Sequence, residues 1–479
     1  MKKVFLVLLG AWVAILPWHA FLKTWFSSLF LGSHADYLPA FSSGLLSAWK
    51  EILLAVLLLI SIGLGWKAIQ KNYKQLNQPW FWFLMAFVIT LIAFGTHLSA
   101  SWGIWALALR TDLLFVPVLA LGWITSLLLS HKQKQQILKV SVLSLLIATT
   151  IGIAAWFIAP SVGLHFGYSP YESSYVENKP LPIYHCIFLA GDHCIPRLQA
   201  TFSGPNQAGG IMIVLFALLS LTTWSRWWSV MTGVGLLLTF SRSALLGGLI
   251  AIATWLKRTW LLLGGITLIM LGSVILLVRP EIITHGGSSI AHEQRKLDGI
   301  QLIIDHPLGL GLGNAGPVSR RVFGEEKAII SESWYLQLGE EAGVIPLIFF
   351  ILFLTTLIYS LYQTKIRSLQ IIGSMLLALS IQAVLLHVWE DSVLTMLAWF
   401  WIGIHIPQNN KTGALQHDRM LTRKLHKMCN ILLTSKKVST RALLHCSSSL
   451  YCPINNSLQI ASKIFDQGRK ADIQGCKLF

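Results

Sequence analysis

Arg242 stands in Thr239-Phe240-Ser241-Arg242-Ser243, a polar break between two short apolar runs. Charge at a membrane edge is costly and is normally paired or turned to a cavity. Snorkelling to lipid headgroups accounts for Arg110. It accounts less well for Arg242, because a serine on each side and a helix break make a polar pocket. Arg197 opens a second polar run, Arg197-Leu198-Gln199-Ala200-Thr201-Phe202-Ser203-Gly204-Pro205-Asn206-Gln207. Its Pro-Asn, followed by Ala-Gly-Gly, reads as a turn opening a helix. A helix start offers free N–H groups to an anion, and an upstream arginine adds a fixed cation. The chemistry that suits such residues is the holding of an anion.

The longest polar stretch of the first 407 residues runs from His285 to Gly343. It carries His292, Arg295, Arg320, Arg321 and Glu332, with Leu308-Gly309-Leu310-Gly311-Leu312-Gly313-Asn314-Ala315-Gly316 between them. Glycine permits positive φ and close backbone approach, which phosphates and sugars exploit, so Gly311 and Gly313 are secondary candidates. A plain loop after a short amphipathic helix explains the same residues. No soluble strand precedes the glycines, so a dinucleotide fingerprint is not supported. Glu332 is placed to cap a helix over 333–339, where a carboxylate is stabilising whatever its function. A positioned carboxylate also takes a proton from a hydroxyl. Glu390 and Asp391 form a second acidic pair, read as helix caps or as a rival base.

The surrounding chain dictates where these side chains sit. It is 54% hydrophobic and 12% charged, with 20 Trp and 23 Phe. That is the composition of an integral membrane protein. Runs of roughly 20 apolar residues recur. About twelve candidate spans follow, near 4–22, 45–66, 80–97, 112–130, 138–160, 208–224, 227–240, 243–257, 259–278, 344–363, 369–388 and 391–406. The first is read as an uncleaved helix, since no clean cleavage site follows it. Lys67, Lys71, Lys74, Lys132, Lys134, Arg226, Lys257, Arg258, Lys365 and Arg367 all fall in even-numbered connections, which places those and both termini in the cytoplasm. The long connections 161–207 and 279–343 then face outward. The net charge of +17 reflects basic cytoplasmic loops beside anionic lipid. No basic soluble domain with interleaved aromatics is visible, so nucleic-acid binding is set aside.

Residues 408–479 differ in composition and hold four of the six cysteines, Cys429, Cys446, Cys452 and Cys476. They read as a basic cytoplasmic tail with free thiols, poorly ordered or lying on lipid as weak amphipathic helices. Their spacings match no zinc pattern. Cys186 and Cys194, in an outward loop, are either a bridge or two free thiols.

The residues resemble the O-antigen ligase and Wzy-type polymerase family of bacterial membrane glycosyltransferases. The likeness lies in Thr201-Phe202-Ser203-Gly204-Pro205-Asn206 and in Thr239-Phe240-Ser241-Arg242-Ser243. It continues in Asp305-His306-Pro307-Leu308-Gly309-Leu310-Gly311 and in Tyr335-Leu336-Gln337 closed by Glu341-Ala342-Gly343. It covers roughly residues 190–363. The resemblance implies an all-α, GT-C-like membrane fold with a large extracytoplasmic loop between spans nine and ten. It implies metal-independent, inverting glycosyl transfer, without a cofactor, at the outer face of the cytoplasmic membrane. The implied donor is a glycan on undecaprenyl diphosphate, and the acceptor a lipid or sugar hydroxyl. Arg197 and Arg242 match the diphosphate-holding arginines, with Arg320 as a further donor contact. His292, Gly311, Gly313 and Asp391 are secondary contacts. The family's usual base is a histidine in a His-Asn-x-Tyr-Leu pattern. Here the aligned residues are Glu332-Ser333, so Glu332 is the expected catalytic residue. A multi-span transporter or flippase is the alternative from another class.

Overall fold

The computed structural model describes residues 1–31, 40–95, 102–169, 185–188, 194–224, 226–255, 286–324, 328–364 and 366–406. Met1–Pro407 forms one compact unit; Gln408–Phe479 falls in a second, and the expected tail lies outside the described residues. Helix α1 (Lys2–Ile15) enters a one-turn 3-10 step at Leu16–Trp18 and continues as α2 (His19–Leu31). Pro17 in that step lacks an N–H, which suits a tightened turn. Helices α3 (Ala40–Asn72) and α4 (Pro79–Gly95) follow. Then α5 (Trp102–Leu113) and α6 (Phe115–Leu128) meet at a bend of 43°. Helix α7 (His131–Ile158) starts on a capping box between Ser130 and Gln133, so two orphan amides are satisfied reciprocally.

Strands β1 (Cys186–Phe188) and β2 (Cys194–Pro196) form a small antiparallel ribbon. The remaining helices are α8 (Pro205–Ser220), α9 (Arg226–Leu238), α10 (Arg242–Trp255), α11 (Gly286–Asp305) and α12 (Gly316–Phe323). After them come α13 (Trp334–Ala342), α14 (Val344–Gln363), α15 (Arg367–Leu385) and α16 (Ser392–His405).

The helical membrane architecture expected from composition is present. Among the described residues, five helices are long and apolar enough to cross a membrane: Lys2–Leu29, Leu46–Leu76, His131–Ile158, Val344–Gln363 and Arg367–Leu385. The bent α5–α6 pair makes a sixth if it acts as one span. Other expected spans are shorter helices. The 16 residues of α8 reach about 24 Å at 1.5 Å per residue, short of a hydrocarbon core about 30 Å thick. The span expected over 227–240 is the 13-residue α9. The span expected over 259–278 lies outside the described residues. Hydropathy reports how apolar a stretch is, whereas caps and breaks decide where the helix stops.

Side chains that would be a liability in water cover the outside. Val7, Leu59 and Ile89 are exposed on their helices, as contact with lipid demands. The interior is aromatic. Phe115 lies 4.8 Å from Trp399, Phe87 5.0 Å from Phe350, and Phe350 4.5 Å from Trp334, centroid to centroid. This cluster joins α4, α6, α14 and α16 and ends on the first residue of α13. Helices α6 and α16 approach backbone to backbone at Gly122 and Gly403, where any Cβ would overlap the facing main chain. Small residues at such crossings are the usual way for membrane helices to come close.

One expectation is corrected here. Arg110 does not merely snorkel: it pairs with Glu51, which also lies 3.3 Å from the buried Lys50. Lys50 Nζ lies 3.0 Å from His19 Nε2 and donates to Ser47 O at 2.7 Å. The ribbon register sets Cys186 opposite Pro196 and Cys194 opposite Phe188, so the two are diagonal neighbours along the backbone; their side chains lie outside the described residues.

Candidate functional site

The ribbon delivers Arg197 to the end of α9. The Arg197 N–H donates to His185 O at 2.8 Å, and the Leu198 N–H donates to Leu238 O at 2.8 Å. The guanidinium is half-buried. Its Nε donates to Thr239 O at 2.9 Å and its Nη2 to Asn206 Oδ1 at 2.8 Å. One side chain therefore ties the β2 segment, the start of α8 and the α9–α10 turn together. Arg242 is the first residue of α10, directly after that turn. Ser241 Oγ accepts from the Ala244 amide at 3.4 Å and so caps the helix. The Arg197 pKa is lowered to about 10, by burial first and by the Arg242 charge second. His185 is lowered to about 4, again by burial first and then by Arg197. The two arginines predicted to work together thus share one electrostatic neighbourhood, beside the N-terminus of α8. An anion there relieves their mutual repulsion.

A second cluster forms around Glu332. This residue is not the side-chain cap of α13 that its position suggested. Ser333 occupies the N-cap, and no side chain caps the helix. Glu332 Oε1 instead accepts from Arg295 Nη1 of α11 at 2.8 Å. Its neighbours hold the turn: Ser333 Oγ donates to Ala383 O of α15 at 3.5 Å, and Tyr335 Oη donates to Ser380 O at 3.1 Å. Because α15 ends at Leu385, the following turn brings His387 to the same place. His387 Nδ1 lies 2.6 Å from Gln337 Oε1. Burial lowers the His387 pKa to about 4, and the Glu332 charge works against that shift.

Backbone strain marks three of the segments singled out by sequence. Among the described residues, the non-glycine residues with positive φ are Ala200 at 52°, Phe240 at 49° and Glu332 at 60°. They fall in the Arg197 run, the Arg242 turn and the Glu332 turn. Such conformations cost of order 1–3 kcal/mol each and persist where the surroundings over-determine them, often at functional sites.

The glycine-rich loop has a different use from the one first considered. Leu310 and Gly311 donate to Glu340 O and Glu341 O at 2.7 and 2.9 Å, and Leu312 donates to Gly95 O at 3.0 Å. The Gly313 amide donates to Glu341 Oε1 at 3.2 Å. The amides of Gly311 and Gly313 are thus engaged inside the protein, and the loop satisfies the C-terminal carbonyls of α13 rather than forming an open anion cradle. Gly311 needs its φ of 96° to do so.

Other expected residues are dispersed. Arg320 is half-buried on α12, which packs against α5. Asp391 caps α16 by accepting from Leu394 N at 2.8 Å, and it accepts from Ser203 Oγ at 2.6 Å, joining α16 to the Arg197 run. His292 lies on α11, but its side chain, like that of Arg321, is outside the described residues. Sequence reasoning passed over Asn206, Gln337, His185 and His387. Asn206 and Gln337 carried a signal, as parts of the Gly-Pro-Asn turn and of Tyr335-Leu336-Gln337. His387 fell at the end of the apolar run expected to span 369–388 and read as part of it.

Two buried carboxylates at the end of α13 make stability depend on pH. Burial raises Glu340 from 4.5 to about 7, opposed by the nearby Ser331 hydroxyl. Glu341 is raised well above its ordinary value by burial and then by Asp112. A raised folded-state pKa means that the folded protein binds the proton more tightly. Stability from Glu340 is therefore fullest below pH 4.5 and falls as pH rises to about 7, by up to about 1.4 kcal/mol per unit. Glu340→Gln is expected to shrink the difference in melting temperature between pH 5 and pH 8. An unchanged difference would show that Glu340 ionises freely in the folded protein.

No protein-family model and no curated protein matches this chain.

Proposed function

We propose that this membrane protein transfers a glycan from an undecaprenyl-diphosphate carrier to an acceptor hydroxyl at the outer face of the cytoplasmic membrane, as an O-antigen ligase-like enzyme of surface polysaccharide biosynthesis. The observation that carries the reading is the convergence of Arg197 and Arg242, whose charges act on one another although they come from separate polar runs. As the sugar–phosphate bond breaks, negative charge gathers on the leaving diphosphate. Arginines fixed beforehand stabilise that charge, and their planar forks suit phosphate oxygens. They take the part a metal plays elsewhere. The acceptor oxygen attacks from the opposite sugar face, which inverts the anomeric centre. In this reading about twelve helices span the membrane in a GT-C-like arrangement, the site faces outward, and both termini are cytoplasmic. A polymerase uses the same donor chemistry and differs only in the acceptor.

One observation favours a second reading. Lys50 and Glu51, on a helix of membrane length, form a charged group with Arg110 of α5, and such groups mark transport pathways in many carriers. The test separates the two. Protein in nanodiscs is given a synthetic polyprenyl-diphosphate glycan and a hydroxyl acceptor, and product is followed by mass spectrometry. Transfer is expected, and it should persist in EDTA. A protein that moves the lipid-linked glycan across a liposome bilayer without joining it to any acceptor is a flippase instead. Arg197→Lys keeps the charge but loses the fork that reaches Thr239 and Asn206 together. It is expected to lower transfer by about 10²-fold; wild-type turnover in that variant would argue that charge alone suffices.

A further inference from the structure

Hydrogen-bond directions fix the protonation of the polar group between α2 and α3. Trp49 Nε1 donates to His19 Nδ1 at 3.0 Å. An indole N–H only donates, so Nδ1 keeps its lone pair. That excludes an imidazolium and puts the ring hydrogen on Nε2. Nε2 lies 3.0 Å from Lys50 Nζ. An ammonium has three hydrogens and no lone pair, so it cannot accept from Nε2. An uncharged amine accepts it. The two amine hydrogens then serve Ser47 O at 2.7 Å and Glu51 Oε1 at 3.3 Å. Both ring nitrogens and the whole amine are satisfied in this one arrangement. Lys50 is 2% exposed, a place where a charge that meets another donor is costly.

We propose that Lys50 is an uncharged amine in the folded protein, and that its contact with His19 is a proton-binding site filled on acidification. The charged groups facing the pair are Lys23 of α2, Glu51 of α3, Arg110 of α5 and Asp391 at the start of α16. Arg110 already matches Glu51, so the charge of this group rests on those two side chains. The Arg110 side chain is exposed, which puts the group within reach of water at the membrane edge. A proton from that water adds to the Nζ lone pair. The new ammonium and the Nε2–H then face one another as two donors, and the contact between α2 and α3 opens. The effect reaches further along the chain. Two residues before His19, Pro17 O accepts from Thr201 Oγ1 at 2.9 Å. The step that carries His19 therefore also holds the Arg197 run, and filling the proton site loosens that hold. This inference goes beyond the transferase reading and does not require it.

The test uses the full chain in nanodiscs and needs no donor or acceptor. In solid-state nitrogen spectra of protein labelled at lysine and histidine, one lysine should resonate as a neutral amine at pH 8. It should show a through-space contact to a histidine Nε2 that bears hydrogen, and it should be absent from Lys50→Gln. On acidification to pH 5 the signal should shift to the ammonium position and the contact should weaken. An ammonium in contact with that histidine at pH 8 overturns the inference. So does an Nδ1–H tautomer there. Melting temperature is the second readout. Lysine is charged in the unfolded chain and uncharged in the folded one, so this site makes stability rise with pH. Glu340 acts with the opposite sign, and the comparison between proteins removes it. The melting temperature at pH 8 minus that at pH 5 should be lower in Lys50→Gln than in wild type, because glutamine still accepts from Nε2–H and takes up no proton. An equal difference in the two proteins overturns the inference. If Lys50→Gln misfolds, the amine signal and its histidine contact in wild type decide the matter. Failure here leaves the transferase reading untouched, since no transfer is measured.

Discussion

Arg242→Ala is expected to cut glycan transfer by about 10²–10³-fold while costing less stability than Arg197→Ala. The second half of this expectation comes from where the arginine stands. It is the first residue of α10, and the N-terminal end of a helix carries partial positive charge that disfavours a cation. Its charge also acts against the half-buried Arg197. Both effects oppose folding and so offset part of what its other contacts contribute. Ser241 continues to cap the helix through Ala244 N. Arg197 differs, because its bonds to Thr239 and Asn206 hold three segments together; its removal should lower activity and stability at once. Parallel thermal melts and transfer assays on the two variants separate these roles. Equal destabilisation in both would leave Arg242 with a structural part only.

Gly403→Leu should have the largest effect on the fold. A Cβ at this position meets Leu119 O, the Cα of Gly122 and Trp123 N. These are backbone atoms, so no rotamer change makes room. Overpacking of this kind costs typically about 1–3 kcal/mol, and here it falls at the crossing of α6 and α16. The consequence reaches the site. Helix α16 begins after Asp391, which holds Ser203 of the Arg197 run. Prising α16 from α6 should therefore loosen the arginine neighbourhood as well as lower the melting temperature in detergent. Gly403→Ala should act in the same direction with a smaller loss. A variant with leucine that melts like wild type would show that the crossing is not close in the membrane.

Much of the site could be read from residue type and local spacing. Arg197 and Arg242 were each marked by a polar break between apolar runs, a feature that needs no tertiary information. The Glu332 segment was visible for the same reason, as a carboxylate within an island of Ser. What local pattern could not convey was partnership. Glu332 lies where a helix cap is expected, yet it pairs with Arg295 of α11, and its backbone takes a positive φ. The alternation of Gly and Leu at 308–316 promises free amides, but whether they are free depends on Glu340, Glu341 and Gly95, which lie elsewhere in the chain. The cysteine spacing allowed a bridge, and the strand register sets the pair on a diagonal.

Composition alone determines that this chain is a helical membrane protein, because few charges and repeated apolar runs leave backbone polar groups no other way to be satisfied in lipid. It also determines which short segments are too polar to sit in hydrocarbon. The tertiary structure decides which of those segments meet. Arg197 reaches Thr239, 42 positions away, and His387 reaches Gln337, 50 positions away. Contacts at such separations arise from helix crossings such as Gly122 on Gly403. They depend on the shapes of surfaces far apart in sequence, and no local run of residues contains that information.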